Sequence, residues 1–127
     1  MDGIRNVQTV AIGCDPNAAQ AKREIIAYLQ ENGYALTDFG SDDPIYTNVA
    51  VKVAQAVADG QYDRGILLCG TGIGVSLAAN KVKVAYASLL TGIYSAERAR
   101  KSKDANIACF GAFTLGIAHM KRLAEAF

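Results

Sequence analysis

Two short stretches of this 127-residue chain carry residue types that could do chemistry. The first is Cys69-Gly70-Thr71-Gly72-Ile73-Gly74, where a thiol is followed by three glycines within five residues. Glycines at that density let the backbone turn tightly and direct several N–H groups at one point. Where such a turn opens a helix, the helix N-terminus favours a bound anion and a neighbouring thiolate. A thiolate beside a nest of donors suits proton abstraction next to a carbonyl, the sulfur taking the proton while the donors stabilise an enediolate. The second stretch is Gly13-Cys14-Asp15. Here the aspartate either caps the helix that follows or faces a ligand.

The elements that must position these residues alternate along the chain. Val7 to Cys14 is rich in strand formers, and Asp15-Pro16-Asn17 breaks it. Ala18, Ala21, Ile25, Tyr28 and Leu29 then recur at helical steps until Gly33, and Tyr34 to Phe39 reads as a second strand. After the loop Gly40 to Pro44, Val49, Val53 and Val57 set a four-residue period ending near Asp59-Gly60. Gly65 to Cys69 is a short continuous apolar run, as expected of a strand buried on both faces. A helix over Val75 to Lys81, a strand over Val84 to Leu90, a charged helix over Tyr94 to Lys103, a strand over Ile107 to Phe110 and a helix over Phe113 to Phe127 complete the reading.

Alternating strands and helices with two-sided apolar strands predict a three-layer α/β/α sandwich, Rossmann-like, around a five-stranded parallel sheet. Right-handed crossovers favour the order 2-1-3-4-5. Ligands of such sheets bind beyond the carboxyl ends of the strands, where the order reverses, here between strands one and three. Cys14-Asp15 and Cys69 to Gly72 stand at those two ends. The topology therefore selects the same residues as the chemistry.

Blander roles suit the other reactive side chains. Cys14 and Cys109 read as small hydrophobes in buried strands, and His119 as a surface residue on a helix far from the strand ends. Arg98, Arg100, Lys101 and Lys103 make a basic cluster that is either a solvated helix face or a phosphate clamp. Three cysteines without a CxxC, and one histidine, predict neither a zinc site nor a disulfide framework. Thirteen basic and 12 acidic residues leave a formal net charge of +1, which argues against a nucleic-acid partner and against an anionic membrane. With 51% hydrophobic and 20% charged residues, a single domain over 1–127 with a real core is expected, cytoplasmic and without a membrane anchor.

The sequence also resembles a known family. Gly13-Cys14-Asp15, Ile66 to Gly74 with Ala78-Ala79-Asn80-Lys81 behind it, Tyr94-Ser95-Ala96, Asn106 and Phe110-Gly111 are similar to the pattern of ribose-5-phosphate isomerase B and galactose-6-phosphate isomerase. The resemblance runs from Val7 to Phe127. It implies interconversion of phosphorylated aldoses and ketoses through an enediolate, without metal or other cofactor, in homodimers or homotetramers with sites at subunit interfaces. By the resemblance Cys69 is the base, Thr71 assists it, Gly70, Gly72, Ile73 and Gly74 hold the enediolate oxygens, and Asp15 binds sugar hydroxyls.

Departures from the pattern are equally specific. Pro16 stands where the family has a ring-opening histidine, Ser102-Lys103 where it has a His-Asn pair, and Phe113 where it has a phosphate-binding arginine. The chain ends at Phe127, without the family's arginine-bearing tail. Three readings follow. One is an active isomerase for a substrate that cannot close a ring, such as a four-carbon sugar phosphate, with Lys103 or Arg100 on its phosphate. The second is one subunit of a two-component isomerase. The third is a non-enzymatic sensor of sugar phosphates or nucleotides on the same fold.

Overall fold

The computed structural model describes residues 8–101 and 103–127. Val7, expected to open the first strand, and Ser102 lie outside the described residues. Among the described residues five strands alternate with five helices: β1 (Thr9–Cys14), α1 (Ala19–Glu31), β2 (Ala35–Asp38), α2 (Tyr46–Ala58), β3 (Arg64–Cys69), α3 (Ile73–Ala79), β4 (Ala87–Leu89), α4 (Ile93–Lys101), β5 (Ile107–Gly111) and α5 (Ile117–Ala126). A single 3-10 turn over Pro16–Ala18 joins β1 to α1. The strands form one sheet, parallel at every pairing.

The strand order is β2-β1-β3-β5-β4, not the expected 2-1-3-4-5. Burial explains the exchange of the last two strands. All five residues of β5 are buried, whereas β4 has three residues and none of them is buried. A continuous apolar run belongs in the middle of a sheet, and a short, half-wetted strand is tolerated at the edge. The strand expected over Val84 to Leu90 contracts to Ala87–Leu89 because side chains take its peptide groups. The Asn106 amide accepts from Tyr86 N–H at 2.8 Å and donates to the Val84 carbonyl at 3.1 Å. The Asn80 amide pairs both ways with Ala87, at 2.8 and 2.9 Å. The two asparagines of the family pattern thus pin the edge of the sheet.

With β5 inserted beside β3, right-handed crossovers send α4 to the face that carries α1 and α5. One core accordingly holds Ile25 and Leu29 of α1, Ala96 and Ala99 of α4, and Met120 and Leu123 of α5 against Val10, Ile12, Leu68 and Phe110. On the other face Val49, Val53 and Val57 of α2 and Val75 and Ala79 of α3 cover Ala11, Leu67, Ile107 and Cys109. The valine period read from the sequence is therefore the sheet-facing stripe of α2. The last helix starts at Ile117 rather than Phe113. Residues 111–115 form a turn in which the N–H groups of Thr114 and Leu115 both bond the Gly111 carbonyl at 3.1 Å.

Candidate active site

β3 lies at the centre of the sheet, with α3 leaving its carboxyl end toward one face while the helices after β1 and β5 leave toward the other. The order therefore reverses on both sides of Cys69, the position at which sheets of this kind bind ligands. Cys14 pairs with Leu68, Asp15 N–H bonds the Leu68 carbonyl at 3.2 Å, and Cys69 pairs with Gly111. Asp15, Cys69 and Gly111 stand side by side at the carboxyl edge.

Cys69 is buried, and its Sγ accepts the Gly72 N–H at 3.2 Å. Gly72 reaches that position in the left-handed region, φ +80°, which suits a residue without Cβ. A Cβ there would lie 2.8 Å from the Phe110 carbonyl carbon and 2.6 Å from Leu89 Cδ1, so β4 and β5 close the loop from beneath. Thr71 is exposed, and its Oγ1 accepts the Ile73 N–H at 3.3 Å. A hydroxyl that accepts one N–H still has its own proton to donate. Gly70 and Gly74 sit under aromatic rings: a Cβ on Gly70 would be 2.9 Å from the Phe113 ring, and one on Gly74 would be 2.7 Å from the Tyr46 ring.

Asp15 resolves toward a cap. Its Oδ1 accepts the Ala18 N–H at 3.3 Å and its Oδ2 the Asn17 amide at 3.4 Å, which closes the 3-10 turn with Pro16 at its head. Each carboxylate oxygen keeps a second lone pair, so capping leaves Asp15 able to accept from a ligand. Beside it, Lys22 is almost fully buried and donates to both oxygens of Asp38, at 2.8 Å each.

Tyr46 is a site neighbour that periodicity did not single out. Asp43 places it: one carboxylate oxygen accepts the Ile45 N–H at 2.9 Å and the other the Asn48 amide at 2.8 Å, fixing the start of α2. The Asn48 amide, and then the Ile45 N–H, hold the Asp43 carboxyl below the usual carboxylate range. A signal was present in Asp43-Pro44 ahead of the valine period, because the first turn of a helix following a strand lies at the same edge as the site.

Arg100 and Lys103 do not join these residues within the chain. α4 starts at the carboxyl edge of β4 and ends at the amino edge of β5. There the Arg100 guanidinium pairs with Asp104 at 3.0 Å, bonds the Ala105 carbonyl and lies 5.9 Å over the Phe127 ring. Lys103 is exposed at the same end, and Arg98 lies 5.9 Å over the Tyr94 ring. His119 is exposed on α5, and Cys14 and Cys109 are buried, as expected of a surface histidine and of cysteines in covered strands. Burial pushes the Cys14 thiol up to about 12 against the nearby Lys22 charge. Burial also pushes the Cys109 thiol up, with a hydrogen bond from Ser76 opposing. Among the described residues no group of three or more His, Cys, Asp or Glu side chains could hold a metal ion, and no helix is long and apolar enough to cross a membrane.

Sheet and loop together define a doubly wound α/β protein whose central strand ends in a buried thiol and a glycine-rich turn. Residues 10–127 match the model of the ribose/galactose isomerase family, and the chain belongs to that family of enzymes. It is 46% identical over 110 residues to ribose-5-P isomerase B of Listeria innocua, covering 84% of this chain and 74% of that protein. It is 46% identical over 112 residues to D-erythrulose-4-phosphate isomerase of Pectobacterium atrosepticum, covering 85% of this chain and 74% of that one. Among solved structures, ribose-5-phosphate isomerase B of Clostridium thermocellum superposes with a TM-score of 0.89 at 37% identity, over 94% of this chain and 82% of that chain.

Proposed function

We propose that this enzyme interconverts a small phosphorylated aldose and its ketose through an enediolate, with Cys69 as the base. The observation that carries the reading is the Gly72 N–H held 3.2 Å from Cys69 Sγ at the carboxyl end of the central strand. That contact aims a backbone N–H at the sulfur on the edge where substrate arrives. The thiolate removes the proton from C2 of the aldose, and the electron pair flows into a C1–C2 double bond, leaving the negative charge on O1. Thr71 and the loop from Gly70 to Gly74, Ile73 included, hold the enediolate oxygens, and Asp15 accepts from a sugar hydroxyl. The proton moves from O2 to O1, and the Cys69 thiol returns its proton to C1, giving the ketose. Atoms and charge balance without a cofactor.

The substrate class proposed is a four-carbon sugar phosphate. With O4 esterified, a four-carbon aldose has no hydroxyl placed to close a furanose ring, so Pro16 in place of a ring-opening histidine leaves nothing undone. D-erythrulose-4-phosphate isomerase of Pectobacterium atrosepticum and ribose-5-P isomerase B of Listeria innocua are equally similar at 46% identity, so the choice of class rests on Pro16. Arg100 and Lys103 belong to the proposal only through a second copy, because in one chain they lie at the opposite edge of the sheet; a homodimer is therefore part of it.

Solvent deuterium exchange followed by NMR, across four- to six-carbon sugar phosphates, tests the chemistry even where net conversion is slow. Cys69→Ala should abolish exchange while the urea unfolding midpoint stays near that of the wild type, since a small residue fits the buried site. Undiminished exchange by the folded variant removes Cys69 from the mechanism.

A further inference from the structure

Three side chains wall the glycine loop: Leu89 beneath Gly72, Tyr46 against Gly74 and Phe113 against Gly70. Phe113 differs from the other two in combining a fixed backbone with an open ring. Its N–H bonds the Gly70 carbonyl at 2.8 Å, and the Ala112 N–H bonds the Cys69 carbonyl at 2.8 Å, so its backbone is tied to the residues on either side of the peptide that follows the base. The ring rests against Gly70 and is otherwise solvated, with the residue 72% exposed. It contributes little to the core.

A phenyl ring in that place has definite consequences for a ligand. Its face carries the negative part of the ring quadrupole, so it repels a phosphate dianion. It offers no hydrogen bond to a hydroxyl, so a CHOH group pressed onto it loses water without replacement. The reacting carbons must lie at Cys69. A substrate chain running from them toward β1 meets Asp15, a hydrogen-bond acceptor, and a chain running toward β5 meets the ring at the next residue.

We infer that Phe113 limits the length of substrate the site accepts, making it a specificity-determining residue that favours four-carbon over five-carbon sugar phosphates. This rests on the isomerase reading of the same site and names the side chain that would set its substrate range.

The experiment compares wild type, Phe113→Ala and Phe113→Leu as full chains, using D-erythrose 4-phosphate and D-ribose 5-phosphate as probes in the deuterium-exchange and isomerisation assays. Phe113→Ala should raise the five-carbon to four-carbon ratio of kcat/KM by about tenfold, chiefly through a lower KM for the five-carbon sugar. Leucine, apolar and nearly as bulky, should hold the ratio within about twofold of wild type. Circular dichroism and urea midpoints establish that the variants fold, and Phe113→Val carries the test if alanine does not fold. A Val ratio raised by more than about twofold supports the limit, a Val ratio within about twofold of wild type overturns it, and so does a Leu ratio outside that range in either direction. An unchanged ratio in folded Phe113→Ala overturns the inference, as does a wild type that prefers the five-carbon sugar. A variant that alters only the concentration dependence of self-association makes the ring an interface contact and also overturns it. No exchange by wild type into any sugar phosphate defeats the isomerase reading and this inference together, whereas exchange with an immovable ratio defeats the inference alone.

Discussion

Gly72→Ala is expected to destabilise the protein by about 2–4 kcal/mol and to impair exchange beyond what lost stability explains. The magnitude comes from two separate causes. Gly72 sits at φ +80° and ψ −10°, and an alanine held in the left-handed region costs about 1 kcal/mol. The added Cβ would then lie 2.6 Å from Leu89 Cδ1, 2.8 Å from the Phe110 carbonyl carbon and 3.0 Å from its oxygen. Leu89 stands on the edge strand and can rotate away. The Phe110 backbone cannot, because it belongs to the fully buried β5 paired on both sides. Overpacking against a fixed wall costs about 1–3 kcal/mol. Urea denaturation measures the sum as a shifted midpoint at constant slope. The double variant Gly72→Ala, Leu89→Ala separates the two contacts: relieving Leu89 should recover less than half of the loss, since the backbone clash remains. Exchange measured well below the midpoint should still fall, because moving residue 72 moves the N–H that faces the Cys69 sulfur. A Gly72→Ala protein within about 0.5 kcal/mol of wild type would refute the account of why glycine stands there.

Two further outcomes follow from the buried charges and thiols. Asp38→Ala should destabilise by about 2 kcal/mol or more, because it leaves the nearly buried Lys22 ammonium without its carboxylate. Lys22→Met should cost less than Asp38→Ala, since it removes the charge and keeps the apolar stem; the reverse ranking in urea titrations would show that the pair stabilises by attraction rather than by avoiding an orphaned charge. Stability should also fall as pH rises above the ordinary thiol range: the folded Cys14 keeps its proton up to about 12 while the unfolded chain loses it near 9, and Cys109 shifts in the same direction. Each such thiol contributes a slope of about 1.4 kcal/mol per pH unit in its window, so Cys14→Ala should flatten the alkaline limb between about pH 9 and 12, and an unchanged limb would assign it to other groups.

How much of this was legible in the sequence depended on what each segment buries. β1, β3 and β5 announced themselves because strands covered on both faces leave continuous apolar runs, and α2 because its valines face the sheet at a four-residue step. β4 is shorter than the strand expected over Val84 to Leu90 because its flanking peptide groups are satisfied by Asn80 and Asn106, and side-chain pairing leaves no periodicity to read. The strand order differs from 2-1-3-4-5 since βα alternation fixes that the sheet is parallel but not which strand occupies the edge; the burial contrast between β4 and β5 decides it. The place of Cys69 at the carboxyl edge is readable because a buried apolar run followed by closely spaced glycines marks a strand turning into a helix. The role of the thiol there is the proposal, since a buried cysteine is as often only a small hydrophobe. Tyr46 was not readable, since a tyrosine opening an apolar helix looks like any core residue until the topology brings that first turn to the carboxyl edge.

The revised order changes what the departures from the family pattern mean. In the order 2-1-3-4-5, strand five would sit at the far edge of the sheet, and a phenylalanine after it would be remote from Cys69. With β5 paired directly to β3, Gly111 is the register partner of Cys69 and Phe113 follows two residues later. The position where the family pattern has an arginine therefore packs against Gly70, next to Cys69, and the ring there cannot take over an anion's hydrogen bonds. The basic residues of α4 are carried the other way, to the amino edge. The ring itself holds no phosphate, so the groups left for that task are the loop's own N–H groups or cations brought by a second chain. These alternatives divide cleanly by experiment. N–H groups act in one chain and would keep KM independent of protein concentration through the dimer range, whereas cations of a second chain would raise KM as the dimer dissociates.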